Sequence, residues 1–336
     1  MPLLRTFSAV VIWSVIFAAS PLFAVELYPF YTFNQSPLVQ IYGLPAPDDA
    51  KILQKGKARG FLAVDLANNF GIDTKQRESI TLDGESYRTT LGLRYGVGNG
   101  FEAGLDLPYL VYSGGFLDQV VQGFHRVFGF SQGERDKNPE NRLLFQYSKD
   151  NVEQFRMDHA NSGLGDIRLL AGMQLYHDQT AYPRVVALRT SLKLPTGDSA
   201  KFHGSGSTDF ALWLTASEDY QAGKGHLTLF GAGGGLVTGR GDVLRGQQQH
   251  LVGFGTLGGG WSPYQWLGLK LQVNGHTSFY KNSALAEVDC GSVQSMLGAT
   301  FALPGKFLLD FAVVDDLVFT VSSPDVTYNF MLRREF

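Results

Sequence analysis

The chain has 336 residues, and its 28 Lys and Arg residues nearly balance 31 Asp and Glu residues, so its charge gives no support for a nucleic-acid partner. A single cysteine, Cys290, excludes an internal disulfide. The 40 glycines and 13% aromatic residues accompany only 18% charged residues. This mixture is unusual for a soluble helical enzyme and typical of a membrane β-barrel with many turns and aromatic belts.

Residues 1–24 have the pattern of a secretory signal peptide. One positive charge, Arg5, precedes an apolar run from Phe7 to Ala19, and Ser20-Pro-Leu-Phe-Ala24 follows. The apolar run is shorter than the roughly 20 residues that a membrane-spanning helix requires. We therefore predict export through the inner membrane and cleavage after Ala24.

Residues 25–59 do not alternate cleanly and contain turn residues. The stretch Asn34-Gln-Ser-Pro37-Leu38 is typical of a turn in extended chain. Apolar residues such as Phe30 and Tyr42 would be costly to leave in water. We therefore predict that this segment, including Asn34, Pro37 and Leu38, folds into the lumen of a barrel as a plug. A disordered leader or an additional periplasmic strand are the alternatives.

From residue 60 to residue 336 the chain shows the period-2 alternation of β-strands. In 85–97, for example, Leu91 and Leu93 share one face while Arg88 and Arg94 share the other. Each run is close to the length that crosses a bilayer at a tilt. The predicted strands are 60–71, 85–97, 100–112, 163–176, 183–194, 207–219, 225–236, 250–262, 267–279, 291–303, 306–314 and 326–336. We predict an all-β fold, a transmembrane antiparallel barrel of about 12 strands.

The connections between these strands alternate between short and long. The short ones are 97–100, 177–182, 220–224, 262–265 and 303–306, and the long ones are 72–84, 113–161, 195–206, 237–249, 280–290 and 315–325. Outer-membrane barrels place short turns in the periplasm and long loops outside the cell. A sandwich or a propeller has no reason to sort its loops in this way.

One face of the predicted strands is consistently large and apolar, and the other mixes small residues with charges. About eight strands mark the limit at which side chains alone fill a barrel. We therefore predict that the apolar face contacts lipid and that the other lines a hydrated lumen. Arg88 and Arg94 are expected to face Glu102 and Asp106 across the turn at 97–100, where opposed charges would stiffen the wall, bind a plug or select polar solutes. The predicted luminal charges are Arg88, Arg94, Glu102, Asp106, Asp166, Arg168, Arg189, Lys193 and Lys270.

The longest loop, 113–161, contains apolar residues at helical spacing, including Leu117, Val121 and Phe128. We predict a short amphipathic helix that covers the pore mouth, lies on the membrane surface or simply caps the loop.

The final strand, 326–336, places Tyr328, Phe330 and Phe336 on its apolar face and ends on an aromatic residue. It resembles the C-terminal targeting strand of Gram-negative outer-membrane β-barrels. That resemblance implies an outer-membrane location, contact with outer-membrane lipid and recognition of Tyr328, Phe330 and Phe336 by the periplasmic barrel-assembly machinery.

A more specific resemblance rests on the plug-like start, Gly163-Leu-Gly-Asp166 and Leu194-Pro-Thr-Gly-Asp198. Together with the signal peptide, these motifs resemble a group of uncharacterised outer-membrane β-barrels, related in style to the transporters of long-chain fatty acids and aromatic hydrocarbons. The resemblance implies passive passage of small molecules, some of them hydrophobic, and no cofactor. Those transporters have fourteen strands, so no residue role is carried over from them.

Two other functions remain open from the sequence. Asn274-Gly-His276-Thr-Ser278 resembles the His-x-Ser pair of outer-membrane phospholipase A, in which His acts as base and Ser as nucleophile. In the phospholipase the pair points to lipid, whereas His276 and Ser278 share the predicted luminal face with Lys270. The third possibility is a structural or adhesive barrel with a blocked lumen. The histidines lack metal-ligand spacing, so no metal site is predicted.

Overall fold

The computed structural model describes residues 25–128, 135–223, 225–316 and 322–336. The predicted signal peptide, residues 1–24, lies outside the described residues. The chain is dominated by strands that belong to one antiparallel sheet. The strands are β1 (Ala58–Lys75), β2 (Glu78–Gly98), β3 (Phe101–Ser113), β4 (Leu144–Lys149), β5 (Val152–Met157), β6 (Asn161–Leu164), β7 (Arg168–His177), β8 (Arg184–Lys193), β9 (Asp209–Ala222), β10 (Gly225–Thr238), β11 (Leu251–Tyr264), β12 (Leu267–His276), β13 (Ser292–Leu303), β14 (Phe307–Asp316) and β15 (Val326–Glu335).

The sheet closes into a 12-strand antiparallel barrel, as predicted. Closure comes from β1 and β15, which pair from Arg59↔Glu335 to Asn68↔Val326. β6 and β7 pair with successive parts of β3, so they form one wall strand that is interrupted at 165–167. β4 and β5 form a hairpin that pairs with the far end of β2. A closed sheet leaves no unpaired edge within a membrane, where water cannot satisfy the backbone.

The alternation along the strands separates an apolar outer surface from a polar interior. In β2, Leu91 and Leu93 are 56% and 50% exposed, whereas Arg94 is 1% exposed. β12 repeats the pattern, because Leu269 and Leu271 are exposed while Lys270 and Gln272 are buried. Successive side chains of a strand point to opposite faces, so the sequence pattern alone assigns each residue to the wall's inside or outside.

The two ends of the barrel differ in their connections. We call the end with the short connections 99–100, 178–183, 223–224, 265–266 and 304–306 the turn end, and the other end the loop end. The predicted long loop at 72–84 is wrong: β1 and β2 remain paired as far as Lys75↔Glu78, with a tight turn at Gln76 and Arg77. Ile80 and Leu82 are buried and alternate with Ser79 and Thr81, and cross-strand pairing extends the hairpin at the loop end.

The loop 113–161 folds over the loop end. It contains the predicted helix, α1 (Leu117–Phe128), and also the β4–β5 hairpin, which was not predicted. The hairpin buries Phe145 and Tyr147 completely, and both belong to an apolar cluster with Tyr112 and Phe202. Among the described residues, no helix is long and apolar enough to span a membrane.

Candidate functional site: the barrel interior

Residues 25–57, which we call the N-terminal segment, run through the inside of the barrel. The segment contains neither helix nor strand, and its residues from Leu27 to Ala46 are buried. It starts at the turn end, where Val25 lines a cavity with Gln265, and it turns at 37–42 near the loop end. It then returns to the turn end, where the backbone N–H of Gly56 donates to Gly96 O at 2.9 Å. The segment thus passes through the lumen twice before β1 begins.

The ascending half of the segment follows β12 in register. Inward side chains of β12 that are two residues apart bond to segment residues that are also two apart, so the segment and the strand run parallel. The bonds join Lys270 Nζ to Tyr28 O (2.8 Å), Phe30 N to Gln272 Oε1 (2.8 Å), Asn274 Nδ2 to Thr32 O (3.1 Å) and Asn34 Nδ2 to His276 Nε2 (3.0 Å). The wall therefore binds mostly the main chain of the segment, through side chains rather than through strand pairing.

Small residues on the inner wall make room for the segment. A Cβ atom at Gly96 would lie 2.1 Å from the backbone oxygen of Gln54, and one at Gly268 would lie 2.2 Å from the Leu27 side chain. Both distances are far shorter than atomic contacts allow. Because the atom opposite Gly96 belongs to the backbone, Gly96 is required for the close approach of the segment, whereas Gly268 leaves room for the end of the Leu27 side chain.

Two of the predicted luminal arginines hold the turn of the segment. Arg168 donates from Nη1 to Leu44 O at 2.9 Å and from Nη2 to Tyr42 O at 3.0 Å. The guanidinium groups of Arg168 and Arg88 both lie over the ring of Phe33, at 4.7 and 5.1 Å from its centroid. The expectation that Arg88 faces Glu102 or Asp106 is wrong, because Arg88 lies opposite Leu110 in the register and contacts the ring instead.

Near the turn end, wall and segment share buried ion pairs. Arg94 bonds to Asp106 at 2.7 Å and to Asp48 of the segment at 2.8 Å. Arg189 bonds to Glu102 at 3.0 Å, and its Nε donates to a segment carbonyl, Asp49 O, at 2.8 Å. Each wall pair therefore also holds the descending half of the segment. Charge-assisted hydrogen bonds of this kind are roughly twice as strong as neutral ones.

Two further clusters of buried charge lie between wall strands. Lys193 contacts Asp166 and lies 3.3 Å from Asp209, whose carboxylate accepts from Gly43 N of the segment at 2.8 Å. In the second cluster, Asp310 accepts from Lys270 Nζ at 2.9 Å and from Arg333. Lys270 and Asp310 are both fully buried.

The turn of the segment packs into an apolar cluster below the loop end. Leu38 is 1% exposed and Pro37 is buried beside it. The ring of Tyr42 stacks on Phe279 at 5.0 Å between centroids, and Tyr280 donates from its hydroxyl to Leu38 O at 3.0 Å. This cluster occupies part of the interior for which the sequence indicated a hydrated lumen.

The structure therefore brings all nine predicted luminal charges into the interior, where they are buried, together with Asn34, Pro37 and Leu38. Their roles stay predictions. Asp310 lies on the polar face that was predicted to line the lumen, whereas Arg333, which completes the second charge cluster, was not among the predicted site residues. Both are at inward-facing positions of their strands, and this alternation in the sequence could have identified Arg333 as well. Phe145 and Tyr147 were also missed, although they alternate just before the turn residues Asp150 and Asn151.

In the described part of the chain, the side chains of His276 and Ser278 bond to other groups and not to each other. β12 ends at His276, so Ser278 lies beyond the strand. His276 Nε2 contacts Asn34, and Ser278 Oγ donates to Tyr280 O at 2.6 Å. Among the described residues, no group of three His, Cys, Asp or Glu side chains could hold a metal ion.

The closed sheet, the apolar outer surface and the charged interior define a transmembrane β-barrel of the outer-membrane type. The particular family follows from the sequence. A family model described as "Protein of unknown function (DUF3187)" matches residues 6–336, so the chain belongs to that family.

Comparison with solved structures gives the same architecture. The COG4313 outer membrane channel from Pseudomonas putida F1 aligns over 86% of this chain and 99% of its own, with 14% identity and a TM-score of 0.53. The Ralstonia pickettii toluene transporter TbuX covers 84% of this chain and 90% of its own, but its 10% identity and TM-score of 0.33 are too low to support an inference. None of the curated proteins compared with this chain matches it significantly.

Proposed function

We propose that this protein lies in the outer membrane and lets small molecules pass through its lumen, with the N-terminal segment as a removable plug. The single observation that carries this proposal is how the segment is held. The wall strands are joined by continuous main-chain pairing, whereas side chains such as Lys270, Gln272 and Arg168 attach the segment to the wall. The segment can therefore leave without breaking the barrel.

The hydrogen bonds that hold the segment do not by themselves prevent its release. Each hydrogen bond contributes only about 0.5–1.5 kcal/mol net, because water replaces it when it breaks. Once the segment leaves, water can solvate the charged and amide side chains of the wall that had held it. The alternative, a structural barrel whose lumen is permanently blocked, would require the segment to stay bound.

The nature of the cargo is proposed from the interior itself. The rings of Phe279 and Tyr280, which pack against Tyr42 while the plug is bound, offer an apolar surface near the loop end, and charged residues follow toward the turn end. Such a path suits small molecules, including hydrophobic ones. The solved Pseudomonas putida relative is described as an outer membrane channel, which supports passage as the general function.

The remaining proposals concern location and assembly. We place the turn end in the periplasm and the loop end outside, as in other outer-membrane barrels. Tyr328 and Phe330 belong to the outer face of the final strand, and Phe336 is 62% exposed at its end. This strand is the proposed contact for the periplasmic assembly machinery, and the apolar outer surface is the contact for lipid.

The proposal is tested with two variants, one in which a disulfide holds the plug in the lumen and one in which the plug is deleted. A Cβ at Gly43 would lie 2.9 Å from the Cβ of Asp209, so Gly43→Cys and Asp209→Cys can form a disulfide after a small shift. Both are introduced with Cys290→Ser, and single-channel currents are recorded in planar bilayers before and after reduction. A second variant lacks residues 26–53, and the single cysteine variant Gly43→Cys with Cys290→Ser is the control.

The oxidised double-cysteine variant should stay closed, and reduction should allow conductance steps. The deletion variant should conduct in both conditions, and the control should not respond to the reductant. A deletion variant that folds but never conducts would contradict the channel and favour the structural barrel.

A further inference from the structure

A cavity of about 650 Å³ opens at the turn end, where the N-terminal segment meets β14 and β15. It adjoins the first residues of the segment, since Tyr28 lines it, and it lies at the opposite end of the barrel from the apolar cluster around Tyr42. Its volume lies within the range of about 300–1,000 Å³ that is usual for small-ligand sites. The lining residues that matter here are Lys57, Arg59, Lys306, Arg333, Arg334 and Phe336. We call it the rim cavity.

The rim cavity carries an excess of positive charge. Only two carboxylate side chains, Glu26 and Glu335, line it besides the cations. Among the residues that the structure describes, no carboxylate lies within ion-pair distance of Lys57, Lys306 or Arg334. In the described part of the chain, these three cations therefore have no direct ion-pair partner.

Unused hydrogen-bond donors line the same cavity. Arg333 is 6% exposed, and its Nε is buried without a hydrogen-bond partner in the described part of the chain. The Nε of Arg334 is likewise buried and unpartnered there. A buried charged donor that bonds to nothing is costly, so an acceptor from outside the chain is expected to complete these bonds.

The cavity also borders the lipid-facing surface. Arg334 belongs to the outer face of β15, and its guanidinium lies over the rings of Phe307 and Phe336, at 5.0 and 4.9 Å from their centroids. Aromatic and basic side chains at this level are the usual contacts of lipid headgroups. The fork of an arginine matches the oxygen atoms of a phosphate.

We propose that the rim cavity binds the phosphodiester headgroup of an anionic phospholipid from the leaflet at the turn end. Arg334 and Lys306 would bind the phosphate, and the acyl chains would lie against the apolar outer surface beyond Phe307. A free phosphate ion could bind the same cations, but it has no acyl chains to contact the apolar outer surface. This site goes beyond the proposed passage of small molecules and does not depend on it.

The experiment measures lipid binding to the full chain in neutral detergent by native mass spectrometry. Dihexanoyl phosphatidylglycerol is the probe, inorganic phosphate tests the free ion, and dihexanoylglycerol tests the acyl chains alone. The variants are Arg334→Gln and Lys306→Gln, and Lys306 lies in an exposed turn where substitution does not threaten folding. Lys55→Gln, an exposed lysine at the same end and outside the cavity lining, is the matched control.

Phosphatidylglycerol should bind the unmodified protein, and each cavity variant should weaken its binding by about tenfold, the usual cost of a lost charged hydrogen bond. Lys55→Gln should leave the affinity within about twofold. Equal affinity in all proteins, or no binding at all, would overturn the proposal. Inorganic phosphate that binds as tightly as the lipid would assign the cavity to a free ion, and equal binding of dihexanoylglycerol would show that the phosphate is not recognised.

Discussion

Asp310 holds together a buried cluster of charges, and its replacement by asparagine should destabilise the barrel strongly. Its carboxylate accepts from Lys270 Nζ at 2.9 Å, from Thr300 Oγ1 at 2.5 Å and from Arg333. Asp310→Asn keeps the size of the side chain and removes the only negative charge in this cluster. Two buried cations then remain without a counter-charge.

The expected loss of unfolding free energy is about 3–5 kcal/mol, the usual cost of breaking a buried ion pair by removing one partner. The assay is urea-induced unfolding of the barrel in phospholipid vesicles, followed by tryptophan fluorescence. Adding Lys270→Met to Asp310→Asn should restore about 1 kcal/mol, because one unpaired cation is then removed.

The matched control is Asp150→Asn at the loop end. Asp150 lies 3.8 Å from Arg77, but both side chains are more than half exposed, at 62% and 80%. This substitution should change the unfolding free energy by less than about 0.5 kcal/mol. A loss below about 1 kcal/mol for Asp310→Asn would refute the reasoning, because it would mean that water reaches the cluster and screens its charges.

Three further predictions concern the interior and the loop end. Arg168→Met should raise hydrogen exchange in residues 37–44 about 100-fold, since two charged hydrogen bonds to segment carbonyls are lost, each contributing about 1.5 kcal/mol or more. Unchanged exchange would show that the arginine does not hold the turn. His276→Ala and Ser278→Ala should leave any ester hydrolysis by the purified protein unchanged. A loss of hydrolysis in either variant would support the alternative function as a lipid-active enzyme. Burial lowers the pKa of His203, although Asp198 opposes this shift. Below about pH 6.5 the unfolded loop therefore binds more protons than the folded loop, and the folded loop loses stability. The rate of proteolysis within 194–208 should rise between pH 8 and pH 5 in the unmodified protein. The same change of pH should not raise it in His203→Gln.

Much of the fold could be predicted from the sequence because a strand's faces are a local property. The alternation of Leu91 with Arg94 and of Leu269 with Lys270 placed each side chain inside or outside without knowledge of its neighbours. The order of short and long connections is likewise read along the sequence, and the proposed orientation of the barrel rests on it. The prediction failed at 72–84, where cross-strand pairing between β1 and β2 continues to Lys75↔Glu78.

The partners of the inward charges could not be predicted in the same way. Arg88 was expected to meet a carboxylate, but it contacts Phe33, a residue of a segment that enters the barrel from elsewhere. The register of that segment on β12 joins residues 242 positions apart, and no local pattern specifies such a distance. The cluster around Asp310 likewise depends on three different strands.

The sequence by itself determined that this chain is a closed antiparallel barrel with an apolar outside, because period-2 alternation and strand length are set residue by residue. Only the tertiary structure decided what occupies the interior. Which buried charge pairs with which, and where the N-terminal segment lies, depend on contacts among distant strands, and these exist only once the sheet has closed around the segment.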